Sequence, residues 1–192
     1  MAKKNIFKSE IFKCITVLFL ITVILGGLLA ILNDLLYVSE EETLKRAITK
    51  IYGTEMSYEI ESEKCYELDK CTINKIIKLG DGNKMFNVTG KEGYKGGTVT
   101  LWVVITYEND TPTLIKTVVL DGYDKQTRMG DFKQSFYNKY TEVTNDFLTN
   151  TGIFGTDSDN GDIQNVITGA TWTANAANNA VNGVIRFVWG GK

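Results

Sequence analysis

Apolar residues without a single charge run from Cys14 through Asn33, between Lys13 and Asp34. A helix of about 20 such residues crosses the hydrocarbon core of a bilayer, so the pattern predicts a transmembrane helix over 14–37. A cleaved signal peptide would carry a shorter apolar stretch and a small-x-small cleavage site, which Leu32-Asn33-Asp34-Leu35 does not supply. A lipid anchor on Cys14 lacks the residues it needs at Ile11-Phe12-Lys13. Lys3, Lys4, Lys8 and Lys13 precede the span, while Asp34, Glu40, Glu41 and Glu42 follow it. The positive-inside rule then places 1–13 in the cytoplasm and 38–192 outside. Gly26-Gly27 admits the close approach of another helix, or is simply tolerated there.

After the span the pattern changes to the period of a one-sided helix. Ser39-Glu40-Glu41-Glu42 fits a capping box, and Leu44, Ala47, Ile48 and Ile51 recur on one face up to Gly53. Residues 54–80 are polar and irregular, with a short strand or helix around Ile73–Leu79. The middle reads as β structure. Lys84–Gly90 is a strand, Gly90–Gly97 a glycine-rich turn, and Thr98–Tyr107 a long β-branched and aromatic run. Glu108–Pro112 turns the chain and Leu114–Leu120 returns, which predicts an antiparallel hairpin.

Phe132, Phe136, Tyr140, Val143 and Phe147 then mark one face of a helix ending near Asn150-Thr151-Gly152. Thr156–Asp162 reads as a loop and Asn165–Ile167 as a short strand. A last helix begins at Thr171 and buries Ala174, Ala177, Val181, Val184 or Ile185, and Val188. These elements make an α+β domain: an antiparallel sheet with flanking helices behind a single N-terminal transmembrane helix.

Composition narrows the chemistry. The 192 residues include no histidine and three cysteines. A histidine base, a histidine-ligated metal or haem, and a four-cysteine zinc or iron–sulfur site are therefore excluded. A net charge of −2 and an isoelectric point near 5.3 give no electrostatic footprint for nucleic acid. Cys65 and Cys71 either form a disulfide, as an extracytoplasmic location permits, or remain free thiols. Asn87-Val-Thr and Asn109-Asp-Thr match glycosylation sequons, a triplet common by chance.

The candidate chemistry lies at Thr168-Gly169-Ala170-Thr171-Trp172-Thr173, just where the last helix starts. The first backbone N–H groups of a helix lack partners, and its dipole favours negative charge at that end. A phosphate ester on a threonine there would be stabilised, and Gly169 and Ala170 leave room for a bulky group. A plain threonine cap after a tight turn would give the same pattern.

The segment resembles the [Ser/Thr]-Gly-Ala-Thr-x-[Ser/Thr] motif of the extracytoplasmic FMN-binding domain family, found in the RnfG subunit of the Rnf ion-translocating ferredoxin:NAD+ oxidoreductase and in the related NqrC subunit. The resemblance implies FMN joined through its phosphate to Thr171 by a flavin transferase that uses FAD. It extends to the membrane helix, to Gly93-Tyr94-Lys95-Gly96 for the family's Gly-Tyr-x-Gly turn, and to Gln126-Thr127-Arg128-Met129-Gly130. There the family has Glu-Thr-Pro-Gly-Leu-Gly near the flavin, and Thr127 and Gly130 are the matching positions. An acidic residue usual a few positions before the motif corresponds to Asn165 or Asp162.

The implied cofactor-binding residues are Thr171, Thr168, Gly169, Ala170, Trp172, Thr173, Thr127 and Gly130, and Trp172, Trp102 and Tyr94 are candidates to stack on the flavin ring. The implied role is electron relay in a membrane complex with subunits like RnfA, RnfB, RnfC, RnfD and RnfE, without catalysis by this chain alone. An NqrC-type subunit, a stand-alone membrane-anchored flavoprotein and a non-catalytic extracytoplasmic binding domain are the alternatives.

Overall fold

A computed structural model describes residues 10–36, 39–157, 159 and 161–190. The expected cytoplasmic stretch up to residue 9, and the junction at 37–38, lie outside the described residues. The chain divides into two compact units, 1–44 and 45–192.

Helix α1 covers Glu10–Leu36. Within it Phe12–Asn33 is long and apolar enough to cross a membrane. The two threonines inside the span direct their hydroxyls back along the helix. Thr16 Oγ1 donates to Phe12 O at 2.8 Å and Thr22 Oγ1 to Leu18 O at 2.9 Å. A hydroxyl satisfied in this way can sit among apolar neighbours without an unpaired donor.

Helix α2, Glu40–Tyr52, starts as its capping box predicts, with Glu42 N–H donating to Ser39 Oγ at 3.2 Å. It stops at Gly53, whose φ of +74° suits a residue without a Cβ. Ile48 is fully buried, and Lys116 Nζ lies 4.6 Å from the centroid of the Tyr52 ring.

The rest of the domain is built on an antiparallel sheet of β1 (Tyr58–Ser62), β2 (Tyr66–Glu67), β3 (Cys71–Leu79), β4 (Lys84–Gly90), β5 (Thr98–Glu108) and β6 (Thr111–Asp124). The spatial order is β1-β3-β4-β5-β6, and β2 pairs with β3 beyond the end of β1. The expected hairpin is β5–β6, with a tighter turn than its sequence suggests. Asn109 and Asp110 have φ of 50° and 62°, the conformation of a two-residue type I′ turn, so Pro112 lies in β6 opposite Tyr107.

Residues 54–80, which carry no clear period, hold three strands. β1 and β2 are mostly exposed edge segments, and exposed edges do not need the apolar alternation that reveals a strand.

The helix expected over 132–150 is not continuous. It is α3 (Gln134–Asn138), a 3₁₀ turn at Lys139–Thr141 and α4 (Asn145–Thr149). The break comes at Thr144, whose side chain accepts from Phe147 N–H and so caps a new helix. The predicted aromatics still pack together. Phe136 meets Phe132, Tyr137 and Tyr140 edge-on at 4.7, 5.4 and 5.6 Å, and Tyr140 meets Phe154 at 4.8 Å. The strand expected at 165–167 lies earlier: β8 (Ile163–Gln164) pairs in parallel with β7 (Phe154–Gly155). Ser158 and Asn160 of the predicted loop are outside the described residues.

The last helix, α5, is Thr171–Ile185, followed by a π-helical turn at Arg186–Gly190. Every residue from Thr173 to Ile185 except Asn175 is buried. Its alanine flank meets the sheet at backbone distance. A methyl on Gly90 of β4 would overlap the Ala176 carbonyl oxygen and stand 2.7 Å from the Ala180 nitrogen. Val188, expected on the buried face, lies half-buried in the π-helical turn.

Candidate functional site

The turn before α5 closes with Ala170 N–H donating to Ile167 O at 2.9 Å. Gly169 is its third residue, with φ of +77°, a position where turns of this kind take glycine. Ala170 then occupies the cap position, and Ala174 N–H makes the first helical bond to its carbonyl at 3.0 Å. Alanine is among the poorest capping residues, and no side chain caps α5. Thr171 is therefore the first helical residue rather than the cap, and it is exposed. The free N–H groups of the first turn make this end a favourable place for an anion, an effect of about 0.3–1 kcal/mol at a surface.

Two other parts of the chain reach this end. Arg128 Nη1 lies 3.0 Å from where a Gly169 Cβ would be, and Arg128 Nε donates to Asp131 Oδ2 at 2.6 Å. A guanidinium thus stands beside the turn that presents Thr171. The other contact is Gln126, which is buried. Its Oε1 accepts from Thr173 Oγ1 at 2.8 Å and from Tyr94 N–H at 3.1 Å, and its Nε2 donates to Asp124 O at 2.9 Å. Side chains on Gly93 or Gly97 would come within 2.6 Å of that Nε2. One amide thereby joins the Gly93–Gly96 turn, the end of β6 and the first turn of α5.

The residues singled out in the sequence fall into distinct environments. Thr168, Gly169, Ala170, Thr171, Trp172 and Thr173 form one continuous turn and helix start, with Ala170 and Thr173 buried and the others exposed. Trp172 is 64 % exposed beside Thr171. Tyr94 is 36 % exposed, with Lys95 Nζ 5.3 Å from its ring centroid. Trp102 is different: it is 6 % exposed in β5, between its sheet partners Asn87 and Val119. It belongs to the sheet, not to this surface.

Thr127 and Gly130 are exposed, and the segment's contacts to the motif run through their neighbours Gln126 and Arg128. In the sequence Gln126 and Arg128 stand only where the segment departs from the family pattern. No local signal marks them, because their role depends on a pairing across 47 residues.

Of the two positions considered for an acidic residue before the motif, Asn165 is fully buried and donates to Phe136 O at 3.3 Å. Asp162 accepts from Ile153 N–H at 3.0 Å. Both hold loops together.

Cys65 and Cys71 are free. Tyr66 faces Ile73 and Glu67 faces Thr72, so Cys71 stands opposite Leu68, while Cys65, just before β2, lies three positions away from it. That offset is about 10 Å along the strand, beyond the roughly 7 Å between Cα atoms that a disulfide tolerates. Burial pushes the Cys71 thiol up to about 11, which disfavours the reactive thiolate at neutral pH.

No family model, curated protein or solved structure matches the chain.

Proposed function

We propose that this chain is the electron-transfer subunit of a membrane-bound, ion-translocating oxidoreductase of the Rnf type, relaying electrons through FMN held by a phosphoester on Thr171. The observation that carries the proposal is the exposed Thr171 at the first position of a helix that no side chain caps, presented by a turn whose Gly169 lies beside the Arg128 guanidinium. A phosphodiester monoanion there would face free N–H donors, with the Arg128 guanidinium, held through its Nε by Asp131, beside the turn. The residues present fit the phosphate of the cofactor. The motif's resemblance to the FMN-binding domain family supplies the flavin itself.

Attachment would be a phosphoryl transfer in which Thr171 Oγ1 takes the FMN-side phosphorus of FAD. The pyrophosphate P–O bond would break with AMP as the leaving group, and the hydroxyl proton would pass to a base of the flavin transferase. This chain's part is to present the hydroxyl. Gly169 keeps the approach open, Ala170 anchors the turn in the core, and Thr173 ties the helix start to Gln126. Bound FMN supplies one- and two-electron transfer, which needs no acid or base from the protein. A chain without histidine is suited to that role.

The apolar helix over Phe12–Asn33 would anchor the domain, and the lysines before it and acids after it would place residues 38–192 outside the cytoplasm. Electrons would enter from one membrane subunit and leave to another.

Two experiments test the proposal. The full chain, produced with a flavin transferase, is expected to show a flavin-fluorescent band on a denaturing gel, and purification in mild detergent should recover several polytopic partners. A fluorescent band with no partner across several detergents would favour a stand-alone flavoprotein. No fluorescent band at all would contradict the cofactor assignment.

A further inference from the structure

A cavity of about 760 Å³ lies between α5 and the segments 65–71 and 153–155, inside the size range of small-molecule sites. None of residues 168–173 lines it, so it is a second site, separate from the surface that presents Thr171. Its two ends differ chemically. The turn at Asp69 and Lys70 stands at one of them. Lys91 N–H donates to Lys70 O at 2.8 Å and Lys91 O accepts from Asn179 Nδ2 at 3.0 Å, so this turn lies level with Asn179. At the other end Tyr66 meets Phe187, the neighbour of Arg186, at 5.1 Å between ring centroids. Asn179 and Arg186 stand about 10 Å apart along the helix axis.

Most of the charge around the cavity is already matched. Glu67 pairs with Lys91 at 2.7 Å, and Lys70 with Glu92 at 3.2 Å. Two lining charges are left over: Asp69 at the asparagine end and Arg186 at the aromatic end. Neither has an ion pair or a side-chain hydrogen bond among the described residues. Asn175 and Asn179 donate their amide nitrogens to Glu92 O and Lys91 O, so their amide oxygens remain as acceptors. The cavity thus offers a carboxylate and neutral acceptors at one end, and a guanidinium beside aromatic rings at the other.

A simple anion filling this space would meet Asp69, and a simple cation would meet Arg186. A zwitterion with its charges about 10 Å apart matches both, and an extended tripeptide spans about that length. We infer that the cavity binds a free peptide of about three residues, its ammonium at Asp69 and the asparagine oxygens and its carboxylate at Arg186. An aromatic side chain at the peptide's C-terminus packs on Tyr66 and Phe187. This site is independent of the FMN reading.

Cys65 reports occupancy, because it is exposed and lines the cavity next to Tyr66, whereas Cys71 is buried with a raised thiol. The probe is the tripeptide Gly-Gly-Phe, added to the full chain in detergent with Cys14→Ser removing the thiol of α1. Iodoacetamide labelling of Cys65 is followed by mass spectrometry. Labelling is expected to slow several-fold, saturating as the peptide is raised to about 10 mM. The N-acetylated and the C-amidated peptides should each need a several-fold higher concentration, the size of effect that an exposed ion pair has. Asp69→Asn should abolish the penalty for acetylation alone, and Arg186→Leu the penalty for amidation alone. The comparison of end groups needs no variant of the cavity, so it stands even where a variant misfolds. No protection of Cys65 overturns the site. Protection that ignores both end groups overturns the assignment to a zwitterion. Protection that depends on the carboxylate alone also overturns it, and gives the cavity to the C-terminal tail of a partner chain.

Discussion

The two flanks of α5 use small residues for opposite purposes. On the sheet side, Ala176 and Ala180 bring the helix backbone against Gly90 of β4, leaving no space for a single methyl. On the other side, four asparagines reach irregular loops. Asn175 and Asn179 donate to Glu92 O and Lys91 O, and Asn178 to Asn165 O while accepting from Tyr140. Asn182 both accepts from Phe154 N–H and donates to Phe154 O, each at 2.8 Å. The alanine flank gains stability by excluding water. The asparagine flank gains order by satisfying backbone groups that no neighbouring strand reaches, in the loops and on the open side of β7. Phe154 and Asn165 are tied to α5 by three of these bonds.

That difference can be broken one position at a time. The largest effect is expected at Gly90→Ala, where the added methyl meets backbone that cannot rotate away. A loss of more than about 3 kcal/mol, or failure to fold, should appear in thermal melts followed by circular dichroism. A cost below about 1 kcal/mol would mean that α5 sits further from the sheet. Asn182→Ala is expected to cost about 2–4 kcal/mol, since it leaves both buried polar groups of Phe154 unpaired. Proteolysis should then cut first within 150–165.

Two adjacent tyrosines sharpen the same point at smaller scale. Tyr140 Oη donates to Asn178 at 2.7 Å, whereas the buried Tyr137 hydroxyl has no partner among the described residues. Tyr140→Phe should cost about 1 kcal/mol, and Tyr137→Phe should be neutral or slightly stabilising. Equal effects would show that the hydrogen bond to α5 contributes nothing. Smallest of all, Thr171→Ala should change stability by less than about 0.5 kcal/mol, because the exposed side chain caps nothing.

The same contrast explains what could be read from the sequence. The buried Ala174, Ala177 and Val181 of α5, the strands at 84–90 and 98–107, the hairpin and the start of α5 at Thr171 all follow from apolar period or turn chemistry, and all are present, whereas the contact of Ala176 and Ala180 with Gly90 was not foreseen. The asparagine flank was invisible, since Asn178 and Asn182 look like surface residues until their partners at 154 and 165 are placed. Edge strands β1 and β2 escaped because exposed edges need no alternation. The single helix expected over 132–150 failed because Thr144 offers a local cap that stops one helix and starts another.

At the candidate site, the motif and the Gly93–Gly96 turn were legible as separate pieces. Gln126, which bonds to both, was not. A glutamine carries no sign of the carbonyl or hydroxyl that it will meet in another part of the fold.

The central claim is that Thr171 is the attachment point, and one measurement addresses it directly. Intact mass is recorded for the full chain, for Thr171→Ala and for Thr168→Ala, each produced with a flavin transferase and FAD. The expected result is the mass of one FMN on the unaltered chain and on Thr168→Ala, and none on Thr171→Ala. FMN mass that survives Thr171→Ala, or that never appears on the unaltered chain, would contradict the account.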